Sequence, residues 1–206
     1  MTEPYNPLDK LNLARSIEVE LLSRPKQPMA DLGAIAGAGV YAIYYTGPFA
    51  AYAAIADGGR PIYVGKAIPK GGRKGGLSVN TGVGRALQDR LRQHAASIDQ
   101  AVNLEITDFQ TRSLVVDDIW IPLGENMLIE SFQPVWNVVI DGFGNKTPGA
   151  RRATQYRSPW DVLHPGRSFA EMLAAHPQPA EVFEQRVADF FAGEAVPLVS
   201  PEDQDE

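Results

Sequence analysis

The chain has no cysteine among its 206 residues, which excludes a disulfide framework and a thiolate metal site. It also has no apolar run near the roughly 20 residues that a helix needs to cross a bilayer. The first residues lack the basic start and the apolar stretch of a signal peptide, so we expect a cytoplasmic protein with no membrane partner. With 44% hydrophobic residues, the chain can bury one sizeable core with appended segments.

Acidic residues outnumber basic ones, and the formal net charge of −6 taken alone argues against a nucleic-acid partner. The basic residues, however, are concentrated in two segments. Residues 60–94 carry eight basic side chains against Asp89 alone, and residues 143–167 carry five against Asp161 alone. Because affinity for a polyanion depends on the local field, these two basic segments are compatible with nucleic-acid binding. The alternative is that both segments are solvated loops.

The N-terminus is predicted to be helical. From Pro7 to Arg24 apolar residues recur at helical spacing after Asn6, which is a plausible N-cap, and Pro25 and Pro28 end the pattern. We expect this helix to pack on the main body of the protein or on a partner subunit.

The remaining chain mixes strand and helix patterns. β-Branched and aromatic residues predict three short strands, and apolar residues three or four positions apart predict three further helices. The strands are expected at Val40–Tyr45, Pro61–Val64 and Ser113–Val116, and the helices at 85–98, 123–132 and 180–191. The glycine-rich stretch 69–84 is expected to be a loop, and the acidic end 201–206 to be disordered.

Two predicted helices carry side chains suited to phosphate chemistry. Arg90 and His94 lie four residues apart and therefore on one face, and a guanidinium can hold two phosphate oxygens. Glu125 begins the next helix, where a carboxylate pointing into a basic cleft would be a natural ligand for a hard cation such as Mg²⁺. The structural alternatives are the solvent side of an amphipathic helix for Arg90 and His94, and helix capping for Glu125.

Four short motifs carry a resemblance to a known family. Gly39-Val40-Tyr41 and Tyr63-Val64-Gly65-Lys66-Ala67 resemble the two halves of the GIY-YIG nuclease signature. The run 85–94 is similar to the arginine helix of that family, and the run 125–137 to its carboxylate helix, which closes on a Pro-x-x-Asn turn. The resemblance covers residues 39–137, roughly half of the chain.

The resemblance implies a catalytic set made of Tyr41, Tyr63, Lys66, Arg90, His94, Glu125 and Asn137. In this set Tyr41, with Tyr63, positions and deprotonates the attacking water, and Lys66 and His94 assist. Arg90 stabilises the pentacovalent phosphate, and Glu125 holds one Mg²⁺ per active site, with Mn²⁺ as a substitute. Asn137 holds the end of the carboxylate helix in place. Because an unperturbed imidazole titrates near pH 6.5, His94 is the alternative general base.

The same resemblance separates two glutamates on one helix. Only Glu125 stands twelve residues before Asn137, as the metal-binding glutamate of the family does. Glu130 follows five positions later, about 140° further around the helix, so both cannot face one cleft equally. Glu125 is therefore the predicted metal ligand.

The resemblance also implies an α+β fold with a small central three-stranded antiparallel or mixed sheet flanked by helices. We expect a single nuclease domain over residues 1–206. Its parts are an N-terminal helical extension at 1–30, a catalytic core at 39–140, a C-terminal extension at 141–200 that contacts DNA or supports the core, and the acidic tail at 201–206.

The interval between the two tyrosines is longer than the minimal module needs, and a basic insertion at 68–84 separates Lys66 from the arginine helix. Insertions of this size in a small nuclease usually carry function, so we expect this one to contact DNA. The candidate DNA-binding residues are Lys70, Arg73, Lys74 and Asn80 in the insertion, Arg85 after it, and Arg151, Arg152 and Arg157 in the second basic segment.

A stand-alone module with such insertions is similar to the type II restriction endonucleases of this superfamily, notably those that cut CCGCGG. A palindrome is read by a two-fold symmetric protein, so we expect a homodimer on double-stranded DNA, with a higher oligomer left open and a cognate DNA methyltransferase in the host. A G·C-only site requires Arg or Lys bidentate to guanine. The alternatives are a structure-specific DNA repair nuclease and a catalytically inactive DNA-binding regulator.

Other conspicuous side chains have simpler interpretations. His164 and His176 sit beside prolines in polar sequence and are expected at the surface. Trp120, Trp136 and Trp160 are expected in the core or at an interface.

Overall fold

The structure is a computed structural model that describes residues 10–69, 84–146 and 155–199. Several predictions fall on residues outside these ranges. They are the DNA-binding candidates Lys70, Arg73, Lys74, Asn80, Arg151 and Arg152, nearly all of the predicted loop 69–84, and the tail 201–206.

Four antiparallel strands form the central sheet: β1 (Gln27–Pro28), β2 (Gly39–Tyr45), β3 (Pro61–Ala67) and β4 (Phe109–Val115). Their spatial order is β1-β4-β2-β3, so β2 is central and β3 lies at an edge. The predicted α+β class is confirmed, with one strand more than expected. A two-residue strand such as β1 leaves no recognisable sequence pattern, since strand patterns are read over four residues or more.

β4 starts at Phe109, earlier than the predicted Ser113. The polar residues after Phe109 hide the strand pattern. Thr111 is nonetheless buried, and its hydroxyl donates a hydrogen bond of 2.9 Å to the carbonyl of Ala42 on β2. A polar side chain that satisfies its hydrogen bond inside the sheet can occupy a core position.

Two apolar cores lie on the two faces of the sheet. All seven residues of β2 are buried, and successive side chains point to opposite faces. Tyr41, Ile43 and Tyr45 belong to the larger core, whereas Val40, Ala42 and Tyr44 belong to the smaller one.

Seven α-helices complete the described part of the chain: α1 (Lys10–Ser23), α2 (Ala86–Gln100), α3 (Ile121–Phe132), α4 (Val135–Val138), α5 (Pro159–Leu163), α6 (Ser168–Glu171) and α7 (Ala180–Ala192). The four predicted helices correspond to α1, α2, α3 and α7, with ends that shift by a few residues. No helix in this part of the chain combines the length and the apolar character needed to cross a membrane.

α1 packs on the main body, which was one of its two predicted positions. Its residues Ile17 and Leu21 join the smaller core beside α3. The approach of the two helices is close, because a Cβ added at Gly124 would lie 3.2 Å from Ile17 Cδ1 and 3.4 Å from Val40 Cγ1. Ser131 on α3 also donates a hydrogen bond of 2.7 Å to the Glu18 carboxylate of α1.

The larger core joins the predicted catalytic module to the C-terminal extension. It contains Leu87 and Leu91 from α2, Trp136 from α4, Trp160 from α5 and Phe183 from α7, all buried. The C-terminal extension is therefore a structural part of the core.

The prediction that His164 lies at the surface is wrong. Its ring is buried, with Nε2 2.6 Å from Tyr52 Oη and Nδ1 3.0 Å from Asn103 Oδ1. Trp136 Nε1 donates to the same Tyr52 oxygen over 2.7 Å, so the Tyr52 hydroxyl is left to donate to His164. Burial lowers the pKa of His164 to about 3 and keeps the ring neutral. Polar neighbours in the sequence concealed a buried hydrogen-bond network.

Candidate active site

The two tyrosine motifs meet across the β2–β3 ladder. Tyr41 on β2 pairs with Gly65 on β3, and the Tyr41 ring lies directly over that glycine. A Cβ at position 65 would come within 2.4 Å of Tyr41 Oη and 3.0 Å of Tyr63 Cε1. The two phenol rings have centroids 6.3 Å apart. Gly65 of the second motif is thus required, because a side chain at this position would overlap the space that the Tyr41 ring of the first motif occupies.

α2 brings Arg90 and His94 to these phenols. His94 is buried, and its Nε2 shares a hydrogen bond of 2.6 Å with Tyr41 Oη. Arg90 is half-buried and lies close enough to Tyr41 and Tyr63 that its charge lowers the pKa of both phenols, against the larger effect of burial. The pair at helical spacing therefore faces the tyrosines and not the solvent, which removes the structural alternative for Arg90 and His94.

The protonation states of the cleft follow from its burial. Burial, followed by the neighbouring Tyr63, holds the pKa of Tyr41 well above its ordinary value. Burial also raises the pKa of Tyr63 to about 12, against the opposing effect of Arg90. Burial, then the positive charge of Arg90, holds the pKa of His94 well below its ordinary value. At neutral pH the phenols are protonated and the imidazole is neutral, so His94 can accept a proton.

Lys66 and Glu125 form an ion pair beside the phenols, with Lys66 Nζ 2.7 Å from Glu125 Oε2. Glu125 is close enough to Tyr41 and Tyr63 that its charge raises the pKa of both. Glu130, five residues later on α3, is exposed. The geometry brings Glu125 beside the phenols and leaves Glu130 exposed, which agrees with the separation of about 140° between the two glutamates around the helix.

Asn137 acts on the backbone of β3. Its Oδ1 accepts a hydrogen bond of 2.8 Å from the Val64 amide, and its Nδ2 donates one of 2.9 Å to the Val64 carbonyl. Val64 lies between Tyr63 and Gly65 on the edge strand, so the Asn137 amide takes the place of a neighbouring strand. Asn137 therefore links α4 to β3, the strand that carries Tyr63. The resemblance implies only that Asn137 holds the end of the carboxylate helix in place.

A wall of the cleft that sequence reasoning missed comes from residues 142–145. The Phe143 ring stacks on His94 with centroids 4.5 Å apart and an angle of 20°, and meets Tyr63 edge-on at 4.9 Å. The carbonyl of Gly144 accepts a hydrogen bond of 3.2 Å from Arg90. In the sequence, the only feature that marks residues 142–145 is that two of the four are glycines.

Two of the predicted DNA-binding residues are described. Arg85 is exposed just before α2, where its Nε donates a hydrogen bond of 2.9 Å to Gln88 Oε1. Arg157 donates to the carbonyls of Ala170 and Glu171, so part of its donor capacity holds α6 in place. Arg167, counted in the second basic segment, is buried and ion-paired, and it contributes nothing to a surface that attracts DNA.

Glu125 is the residue that fits a divalent cation. Its carboxylate is 13% exposed, supplies hard oxygen ligands and already holds a cationic group, the Lys66 ammonium. Within residues 10–69, 84–146 and 155–199, no three acidic or histidine side chains converge as a metal cluster. A cation on Glu125 would take its further ligands from water and from a phosphate, as Mg²⁺ commonly does.

The comparisons agree with this geometry. The model of the Eco29kI GIY-YIG domain matches residues 34–191. That span contains all seven catalytic candidates and extends beyond residue 137 into α5, α6 and most of α7. A comparison with curated proteins gives no match.

Proposed function

The chain belongs to the GIY-YIG restriction endonuclease family represented by the Eco29kI domain, and from that membership we propose a type II enzyme. Members of this family are DNA-binding nucleases. The proposed reaction is Mg²⁺-dependent hydrolysis of phosphodiester bonds in double-stranded DNA at a short palindrome, G·C-rich and of the CCGCGG kind. A cytoplasmic location and a cognate methyltransferase belong to the same proposal.

One observation carries the proposal: the contacts around Tyr41. Its hydroxyl lies 2.6 Å from His94 Nε2, and the charges of Arg90 and of Glu125, which pairs with Lys66, both act on it. A base, a cation for the phosphate and a carboxylate for a metal ion are thus adjacent, which is the set that phosphodiester hydrolysis needs.

Tyr41 and His94 are proposed to act together as the general base. Both side chains are buried beside Tyr63, with ring centroids 6.3 Å (Tyr41) and 5.1 Å (His94) from the Tyr63 ring, and Phe143 stacks on His94. The attacking water gives a proton to Tyr41 Oη as the Tyr41 proton passes to His94 Nε2. The hydroxide forms the new bond to phosphorus, the bond to the 3′ oxygen breaks, and that oxygen takes up a proton from solvent water. His94 then returns its proton to solvent by way of Tyr41.

The remaining side chains stabilise charge. Arg90, held by the Gly144 carbonyl beside the two phenols, can donate to the phosphate oxygens as negative charge builds up on them. Lys66, next to Glu125, adds positive charge at the same edge. Glu125 would hold the divalent ion, which supplies charge neutralisation at the phosphate and at the leaving 3′ oxygen when bound.

A palindrome implies two symmetric active sites, so we propose a homodimer. Exposed apolar residues on the outer side of α1, Val19 at 68% and Leu22 at 37% exposure, support this helix as part of the interface. Sedimentation should give the mass of a dimer for the wild type and of a monomer for Val19→Lys. A wild-type monomer in the presence of DNA would contradict the dimer.

The proposed activity is tested on unmethylated plasmid DNA. We expect discrete fragments with Mg²⁺ and none with EDTA, and sequencing of the fragment ends should give one palindrome. Cleavage of branched DNA but not of intact plasmid would favour the repair nuclease. Retardation of the plasmid without cleavage would favour the DNA-binding regulator.

A further inference from the structure

Arg167 is buried at the junction of the C-terminal extension and the catalytic cleft. It is 1% exposed, and its partner Asp161 is 3% exposed. The guanidinium binds the carboxylate in a bidentate manner, Nε to Oδ1 at 2.7 Å and Nη2 to Oδ2 at 2.8 Å. The ring of Trp160 lies 4.5 Å and that of Phe169 4.8 Å from the guanidinium. The group is therefore fixed in position by charge, hydrogen bonds and two aromatic rings.

The remaining donors of Arg167 go to one short segment. Nη2 donates a hydrogen bond of 2.8 Å to the carbonyl of Gly142. Nη1 donates one of 3.0 Å to the carbonyl of Phe143 and one of 3.4 Å to the carbonyl of Asn145. Together with the carboxylate, these contacts use all five N–H groups of the guanidinium. Lysine could not reproduce them, because its ammonium lacks the planar fork.

The segment that Arg167 holds is the wall of the cleft. Phe143 stacks on His94, and the Gly144 carbonyl accepts from Arg90. A Cβ at position 144 would lie 3.2 Å from both Arg90 Nη2 and Tyr63 Oη, so the backbone itself is close to the catalytic groups. A small displacement of residues 142–145 would move His94 and Arg90 together.

A role in stability alone explains this arrangement poorly. A buried ion pair is weak evidence for stability, since desolvation of both ions offsets their attraction. The distinctive property of this ion pair is geometric. The Arg167 side chain binds three carbonyls within residues 142–145. The same segment carries the contact of Phe143 with His94 and that of Gly144 with Arg90.

We propose that Arg167, oriented by Asp161, is a positioning residue that sets His94 and Arg90 through residues 142–145. The inference rests on the proposed nuclease function for its effect on rate, but its structural part is independent of DNA cleavage. Arg167 touches neither substrate nor reacting atoms and acts through Phe143 and Gly144.

Two variants test it. Arg167→Lys keeps the charge and removes the fork, and the double variant Asp161→Asn with Arg167→Met removes both charges so that no buried ion is left unpaired. We expect single-turnover cleavage per folded molecule to fall about 10- to 100-fold in both, because misplacement of about 1 Å costs about that much. The Kd for DNA measured with Ca²⁺ should stay within about twofold of the wild type. Tyr52→Phe, which removes hydrogen bonds in the neighbouring buried network, is the control for general destabilisation.

A second readout needs no cleavage. The chain has three histidines, so the imidazole resonances can be assigned one by one in NMR spectra. In both variants the His94 ring protons should move downfield as the Phe143 ring leaves its stacked position, whereas those of His176 stay. Unchanged His94 resonances, or an unchanged cleavage rate per folded molecule, would overturn the inference. If the wild type cuts no DNA but the His94 resonances shift, the function proposal fails and the positioning contact stands.

Discussion

The Tyr41 hydroxyl lies 2.6 Å from His94 Nε2, and both side chains are buried. The low pKa of His94 and the high pKa of Tyr41 place the shared proton on the phenol at neutral pH. Proton transfer from Tyr41 to His94 therefore needs a compensating event, the arrival of a proton from water. This coupling gives the first prediction.

Tyr41→Phe removes the hydroxyl and keeps the ring. We expect single-turnover cleavage to fall by about 10²- to 10⁴-fold, the usual contribution of general base catalysis, with DNA affinity unchanged. Tyr44→Phe is the matched control, because Tyr44 lies on the same strand and faces the other core. A Tyr41→Phe enzyme that cleaves at the wild-type rate would exclude Tyr41 as the base and leave His94.

Acid should destabilise the fold through its buried histidines. The folded pKa of His164 is about 3 and that of His94 is well below its ordinary value, so at pH 5 the unfolded chain binds protons that the folded chain does not. The stabilisation that comes from these neutral histidines is fully present above pH ~6.5 and is lost as pH falls, by about 2 kcal/mol for His164 between pH 7 and pH 5. Urea unfolding at several pH values measures the loss.

The assignment to particular histidines is checked by substitution. His164→Gln should reduce the pH dependence of the unfolding free energy by about one proton at pH 5, and His94→Gln should reduce it in the same direction. His176→Gln, which removes a partly exposed ring outside both networks, is the control for loss of a histidine side chain. Equal slopes in all three variants would show that other groups govern the acid sensitivity.

Gly65→Ala on β3 should displace the Tyr41 ring and so disturb the active site. The added Cβ would meet Tyr41 Oη at 2.4 Å and Tyr41 Cζ at 2.6 Å, so the ring must move. We expect a loss of about 1–3 kcal/mol in unfolding free energy from overpacking, and a fall in cleavage rate beyond that of the folded fraction. Gly33→Ala, with nothing within 4 Å of the added methyl group, is the control. Wild-type activity in Gly65→Ala would show that Tyr41 does not need its observed position.

Asn137→Leu tests whether Asn137 supports the fold of the edge strand or takes part in the reaction. It leaves the Val64 amide and carbonyl on the edge strand without the Asn137 side chain, and each lost hydrogen bond of this kind costs about 1–3 kcal/mol. Thermal unfolding should show a loss of about 2–5 kcal/mol, together with reduced cleavage. Tyr41→Phe, in contrast, should lower the cleavage rate much more than the stability. A fully stable but inactive Asn137→Leu protein would mean that Asn137 contacts the substrate.

Much of this fold could be predicted from local patterns. The strands around Tyr41 and Tyr63 and the helices α2 and α3 follow from periodicity, and helical spacing alone puts Arg90 with His94 and separates Glu125 from Glu130. These residues belong to short, regular elements, so their relative directions are fixed by the sequence interval.

The parts that escaped prediction depend on tertiary contacts. Phe143 and Gly144 lie at the cleft in a segment whose Gly142, Phe143 and Asn145 carbonyls accept hydrogen bonds from Arg167, more than twenty residues later. His164 sits in polar sequence, yet its hydrogen bond to Tyr52 spans 112 positions. Neither relationship has a local period, so no pattern in the sequence could reveal it.

The central claim is that Glu125, and not Glu130, serves the active site. The direct measurement is single-turnover cleavage of unmethylated plasmid by Glu125→Gln and Glu130→Gln, two isosteric changes on one helix, with DNA binding measured in parallel. The account predicts that Glu125→Gln loses at least about 10³-fold in rate and keeps its DNA affinity, while Glu130→Gln cleaves like the wild type. Undiminished cleavage by Glu125→Gln, or its loss in Glu130→Gln, would contradict the account.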